Sequence, residues 1–142
     1  MSAVKIDEAL LDKVGGEAIR SERLRMNYDL RNTPEDNSQR MLNALEMGTV
    51  LPIHRHMHTS ETIVILRGHL REDFYDDGGR LTESFDLRPG GPLFGLNIPV
   101  GQWHSFEVLE GGTVIMEAKD GKWALLTPEE LFPGPGSGTI PG

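Results

Sequence analysis

This sequence contains no cysteine. Disulfide staples and thiolate metal ligands are therefore excluded, and a reducing compartment is permitted without being required. Basic residues are also scarce: 14 Lys and Arg stand against 22 Asp and Glu, a formal net charge of -8. A surface of that sign repels phosphate backbones and anionic headgroups, so neither nucleic acid nor membrane is expected as a partner. No stretch approaches the roughly 20 apolar residues of a spanning helix. The first residues carry acids where a secretory leader would carry a basic run and an apolar block, so a cytoplasmic location is expected. What the chain has in plenty is turn chemistry, with 17 Gly and 9 Pro in 142 residues. A single domain of that length buries enough surface to form a core without staples.

The chemistry is concentrated between Gly48 and Gly68, in GTVLPIHRHMHTSETIVILRG. His54, His56 and His58 fall within five positions, followed by Glu61 and the apolar run Thr62 to Leu66. Successive side chains of an extended chain point to opposite faces, so His54 and His56 share one. Two imidazoles at i and i+2, with a carboxylate a short turn later, are how a sheet presents a metal. Helical pairs need wider spacing, and Pro52 argues against a helix. A third imidazole is available at His104, in Ile98-Pro99-Val100-Gly101-Gln102-Trp103-His104. Pro99 and Gly101 pin the turn that fixes where the next strand begins.

Exposed histidines beside an ordinary hairpin are the plain alternative. The conjunction of pair, acid, flanking glycines and distant Pro-x-Gly favours a metal held by His54, His56, Glu61 and His104. Such a donor set suits one divalent transition metal (zinc, iron, manganese or nickel) and leaves a position for water or substrate. His58 is expected at the pocket mouth or in solvent, and Asn43 and Gln102 as hydrogen-bonding neighbours of the imidazoles. His69, Trp103 and Trp123 read as surface or packing residues.

Along the chain, Ile6, Leu10, Leu11 and Val14 share a helical face that Gly15-Gly16 should end, with a second short helix possible over Glu17 to Arg25. The segment Ser21 to Arg31 reads as a solvated charged surface, or else as an arginine-lined entry, through Arg25 and Arg31, for an acidic or phosphorylated ligand. Short apolar runs follow, cut by turn signals: Gln39–Met47, Val50–His56, Glu61–Arg67, His69–Tyr75, Leu81–Leu87, Leu93–Ile98, His104–Leu109 and Thr113–Ala118. Eight or nine such strands imply an antiparallel sandwich or barrel, with no strand–helix–strand period for a parallel sheet. Thr127-Pro128-Glu129-Glu130 starts a short helix. The Gly/Pro-rich tail from Pro133 is expected to be extended or mobile. The expected organisation is an N-terminal arm over 1–37, a barrel over 38–120 and an extension over 121–142, within one domain.

The spacing Gly48-x5-His54-x-His56-x4-Glu61-x6-Gly68 resembles the first motif of the cupin superfamily. Pro99-x-Gly101-x2-His104 resembles the core of the second, although Leu93 and Val108 stand where that motif has Gly and Asn. Within the superfamily the sequence is most similar to the WbuC-type cupin-fold metalloproteins. The likeness lies in Gln39 to Leu45, Pro52 to His56, Leu66-Arg67-Gly68 and Trp103-His104. It departs at Arg31 and at Asp120-Gly121-Lys122-Trp123. The resemblance implies an all-β fold: a cupin-type jelly-roll barrel (double-stranded β-helix) of about eight or nine antiparallel strands with short N-terminal and C-terminal helices. It also implies Arg25 and Asn27 near the pocket, a homodimer, and a link to surface-polysaccharide synthesis. The expected function is then a metal-dependent enzyme acting on a small polar molecule such as a sugar or sugar nucleotide, by isomerisation, epimerisation or hydrolysis. An iron(II) dioxygenase and a non-catalytic metal-anchored ligand-binding module are the alternatives.

Overall fold

The structure, a computed structural model, describes residues 2–133. Beyond Pro133, the expectation for the tail falls outside the described residues. One helix, α1 (Glu8–Arg20), precedes eight strands: β1 (Arg25–Asp29), β2 (Ser38–Leu45), β3 (Glu61–Arg67), β4 (Leu70–Tyr75), β5 (Leu81–Leu87), β6 (Gly95–Ile98), β7 (Trp103–Val108) and β8 (Thr113–Asp120). A 3-10 helix at Pro128–Glu130 follows them. The strands form a five-stranded sheet, in the order β1-β2-β8-β3-β6, and a three-stranded sheet, in the order β5-β4-β7. Every strand pairing is antiparallel. This is the two-sheet arrangement of a cupin-type β-barrel.

Alternation along the strands explains two separate cores. Leu45, Ile63, Ile65, Leu70, Leu87, Ile98, Val108 and Ile115 pack between the sheets. The opposite face of the larger sheet is apolar as well, through Leu42, Ala44 and Val114, and α1 covers it with Leu11, Val14 and Ala18. Burying a side chain such as Leu11 or Val14 contributes about 1.5–3 kcal/mol.

Two local expectations are corrected, and a segment left without an assignment gains one. Gly15-Gly16 does not end α1, and no second helix follows: Glu17 to Arg20 continue the first. A glycine inside a helix costs about 1 kcal/mol relative to alanine. Here that cost is offset by the packed face and by Asp7, whose carboxylate accepts the Leu10 N–H at 3.0 Å. The charged segment after α1, read as surface or entry with no element assigned, holds a strand. Residues Arg25–Asp29 pair with Leu45–Met41 as the edge strand β1, a position where charged side chains are tolerated. Finally, Val50–His56 is not a strand. It is irregular chain whose backbone makes single bridges from His54 to His104 on β7 and to Leu131 in the C-terminal segment.

Gly68 turns the chain from β3 into β4 at φ +86°, and a Cβ there would come within 2.7 Å of the Thr113 Cα. A left-handed conformation alone costs an L-residue about 1–2 kcal/mol. Gly68→Ala is therefore expected to lower stability by about 2 kcal/mol or more, read as a depressed midpoint in thermal or urea unfolding. An unchanged midpoint would contradict the turn geometry.

Candidate metal centre

Strand parity positions half of the site. On β3, Glu61, Ile63 and Ile65 are buried while Thr62 and Val64 face out. On β7, His104 is 1% exposed and shares its face with Phe106 and Val108. His54 reaches the same place through a single antiparallel bridge. Its N–H donates to the His104 carbonyl at 3.0 Å, and the His104 N–H donates to its carbonyl at 2.8 Å. Two residues on, the His56 carbonyl accepts the Gly101 N–H at 2.8 Å, which ties the histidine loop to the Pro-Gly turn.

The donor atoms of His54, His56 and His104 all lie within 4.8 Å of one another. Backbone carbonyls set the tautomers, because a carbonyl can only accept. Nδ1 of His54 donates to the Pro52 oxygen at 3.0 Å, and Nδ1 of His104 to the Gln102 oxygen at 2.8 Å. Each Nε2 is left with a free lone pair. Burial, reinforced by the neighbouring imidazoles, holds His54 well below the usual histidine pKa, and burial likewise lowers His104. Both rings are therefore neutral, the form that ligates metals. Nε2 of His56 and of His104 are buried with no hydrogen-bond partner among the described residues. Buried polar atoms without partners are uncommon, and these two share a site with further donors, which fits a bound cation.

Glu61 completes the cluster. Its carboxylate lies 3.2 Å from His56 Nε2, without hydrogen-bond alignment, 4.0 Å from His104 Nε2 and 3.6 Å from Lys119 Nζ. Burial pushes its pKa up, but His56, the Lys119 ammonium and His104 together outweigh burial and hold Glu61 below the ordinary carboxylate range. The site thus brings together three imidazole nitrogen donors and one anionic oxygen donor, a set that fits a divalent transition metal.

The cluster opens into a cleft of about 740 Å³, its mouth included. Arg25, Asn27 and Asn43 line this cleft with the four clustered residues, while His58 and Gln102 do not. The loop bends at Met57 and His58 to reach β3, which leaves His58 exposed. The Gln102 amide turns away to donate to the Tyr75 and Trp103 carbonyls, so Gln102 serves His104 through its backbone oxygen. Arg31 is forked onto Asp29, at 2.8 Å, and takes no part in the cleft. His69 pairs with Asp86 at the surface, and Trp103 packs edge-on against Phe132.

Sequence reasoning overlooked Gln39, Glu72, Glu117 and Lys119, all of which face the cleft. Their signal was parity. Glu117 and Lys119 alternate with the buried Ile115 on β8, and Glu72 follows the buried Leu70 by two on β4. Glu117 accepts a hydrogen bond from the Asn43 amide, and burial, followed by the Glu61 charge, raises its pKa to about 8.

The C-terminal segment closes the site from outside. Ala124 and Leu126 line the cleft. Behind them the Glu130 carboxylate accepts the N–H groups of Thr127 and Met57, each at 3.0 Å. The Arg55 N–H donates to the Glu130 carbonyl, and its guanidinium stacks 4.2 Å from the Trp103 ring centroid.

Solved structures similar to this chain are cupin-fold proteins. KdgF from Halomonas sp. matches with a TM-score of 0.56 at 15% identity, over 70% of this chain and 82% of KdgF. The capsular polysaccharide assembling protein CapF from Staphylococcus aureus matches with a TM-score of 0.59 at 19% identity, over 76% of this chain and 30% of CapF. The oxalate decarboxylase of Bacillus subtilis, a protein described with Mn(II) centres, matches with a TM-score of 0.54 at 23% identity, over 70% of this chain and 26% of that enzyme. This chain therefore corresponds to less than a third of the last two, and at these identities the likeness establishes a cupin fold alone. The chain belongs to the family described as a domain of unknown function, DUF6016, whose pattern matches residues 6–87. That match includes His54, His56 and Glu61 and ends before His104. No curated protein matches the sequence.

The Glu130 anchor yields a pH prediction. Burial raises the Glu130 pKa, but the N–H groups of Thr127 and Met57 outweigh it and leave the pKa lowered. Its contribution is therefore full above about pH 4.5, the unfolded value, and is lost as pH falls through the lower folded value. Glu130→Gln should cost about 1 kcal/mol at pH 7 and lose less stability than the native chain between pH 5 and pH 3. Thermal midpoints taken across that range would check it, parallel curves for the two proteins being the contrary result.

Proposed function

We propose that this protein binds one divalent transition metal through His54, His56, His104 and Glu61 and is a metal-dependent enzyme acting on a small polar molecule. The observation that carries this reading is the pair of buried, unpartnered Nε2 atoms of His56 and His104 in a cleft shared with His54 and Glu61. A metal bound there would act as a Lewis acid toward an oxygen of the ligand. The chain's own residues do the rest. Glu61 supplies the fixed negative charge, held in place by Lys119. The Asn43 amide orients Glu117. The carboxyl groups of Glu72 and Glu117 face the ligand space and are the groups able to take or give a proton beside a polarised carbonyl. Leu45, Ile63, Phe106, Ile115 and Leu126 form the apolar wall, the usual make-up of a small-ligand site.

Three things support a sugar or sugar-nucleotide derivative, handled by isomerisation, epimerisation or hydrolysis: the motif likeness to WbuC-type proteins, the polar lining of the cleft, and the shared fold with CapF, itself a capsular polysaccharide assembling protein. Fold likeness to that protein is analogy, and the site residues carry the argument.

Elemental analysis of protein purified without a metal-affinity tag should find about one transition metal per chain. His56→Ala and His104→Ala should lose most of it, and Glu61→Gln less. Metal at about a hundred times its dissociation constant adds about 2.7 kcal/mol, so chelation should lower the native melting point and leave the histidine variants' almost unchanged. Full metal in both histidine variants would overturn the centre. Oxygen consumption by the iron-loaded protein, absent from the zinc-loaded form, would favour a dioxygenase instead. Ligand binding without turnover on any metal would favour a binding module.

A further inference from the structure

Glu72 is out of place by every local rule. It sits mid-strand on β4, opposite Phe106 on β7 and Phe85 on β5, and is only 2% exposed. An apolar side chain there would continue the wall made by Leu70 and Phe74. Instead a carboxyl group opens onto the cleft. Among the described residues it has no ion-pair partner and no hydrogen bond that would offset its burial. The cleft's own cations do not reach it: Lys119 is engaged by Glu61, and Arg25 leans on the Val50 carbonyl. Neighbouring Asp73 is satisfied by Arg71 and Ser84, so the anomaly belongs to Glu72 alone. A side chain this deeply placed that lines a cavity and meets no protein partner is positioned to meet a ligand.

We infer that Glu72 is a specificity-determining ligand contact: its carboxyl hydrogen-bonds a hydroxyl of the molecule held at the histidine cluster, so the cleft selects polyhydroxylated, sugar-like ligands over their deoxy counterparts. This rests on the metal-centred reading above. The surrounding chemistry agrees with it. Glu61 carries a negative charge close by, so a ligand carboxylate placed against Glu72 would be repelled, whereas a hydroxyl there would not. Burial, then the charges of Glu61, Glu117 and Asp73, keep Glu72 well above the ordinary carboxyl pKa. A neutral carboxyl both donates and accepts, as a hydroxyl does. Gln39 adds a second such contact: it is 2% exposed, faces the cleft, and its amide meets only the Met41 sulfur, at 3.8 Å, among the described residues. Between these polar points, Ile63, Phe106 and Ile115 offer an apolar surface for the C–H faces of such a ligand.

The test uses the native chain, Glu72→Gln and Glu72→Leu, each loaded with cobalt(II) and assayed for metal content. Each is then titrated, by the cobalt absorption spectrum, with matched pairs of 2-hydroxy acids: lactate and glycerate, 2-hydroxybutyrate and threonate, 2-hydroxyhexanoate and gluconate. In the native chain at least one polyhydroxylated member should bind about 10-fold more tightly than its deoxy partner, the worth of one good hydrogen bond. In Glu72→Leu that preference should shrink to within about 2-fold, with Glu72→Gln between, while metal content is kept. Glu72→Leu should also melt at a higher temperature, since it removes an unpartnered buried carboxyl. No preference or no binding in the native chain would overturn the assignment, as would a preference that survives in Glu72→Leu. Loss of cobalt from Glu72→Leu would make Glu72 a support of the metal and overturn it too. Failure of the native chain to take up cobalt would instead bring down the metal centre itself, and this inference with it.

Discussion

Two backbone hydrogen bonds, exchanged between His54 and His104, hold together parts of the chain that are otherwise unrelated. The loop that carries His54 and His56 has no ladder of its own; it is attached to the smaller sheet by this one bridge, to the C-terminal segment by another, and to the Pro-Gly turn by the His56 carbonyl. The bridge places both imidazoles in register. Each ring then spends one nitrogen on a nearby carbonyl, and the other faces inward. Everything proposed about chemistry depends on that register, because a slip of one residue would turn Arg55 inward and His54 and His56 out.

Around this point the molecule keeps two economies apart. The helix-covered face of the large sheet and the space between the sheets toward Leu70, Leu87 and Val108 are apolar and closed. The other end of the same intersheet space is crowded with ionisable groups, namely Glu61, Glu72, Glu117 and Lys119 beside the histidines. Burying so many charges in one place works against stability unless partners neutralise them. Lys119 does so in part, Asn43 adds a hydrogen bond to Glu117, and the remainder is what a cation and a polar ligand would supply. The closed end holds the fold while the polar end is kept for chemistry.

Much of this was legible in the sequence because it depends on period and spacing. The i, i+2 histidines, the acid at Glu61 and the Pro-x-Gly before His104 are local patterns, and strands β2 to β8 follow from short apolar runs cut by turn signals. What was hidden depends on contacts distant in sequence. Arg25 to Asp29 carries too many charges to read as a strand, and becomes one only because β2 offers an edge. Val50 to His56 alternates well enough to read as a strand, yet its backbone partners come singly from different segments and form no ladder. The double glycine in α1 looked like a stop, but the helix is held by the sheet beneath it. Glu72 sits in Arg71-Glu72-Asp73, a run that reads as solvated surface until the register with Phe106 shows which way each side chain points.

The fastening of the histidine loop to Glu130 has a bearing on the order in which the molecule is made. Met57 and Glu130 are 73 positions apart, and Arg55 and Glu129 are 74 apart. During synthesis the loop leaves the ribosome long before the segment that secures it, while β4 and β5 can already form their hairpin. Contacts of such separation form late and slowly. The loop that carries His54 and His56 is therefore fastened at this end only once Glu130 has been made.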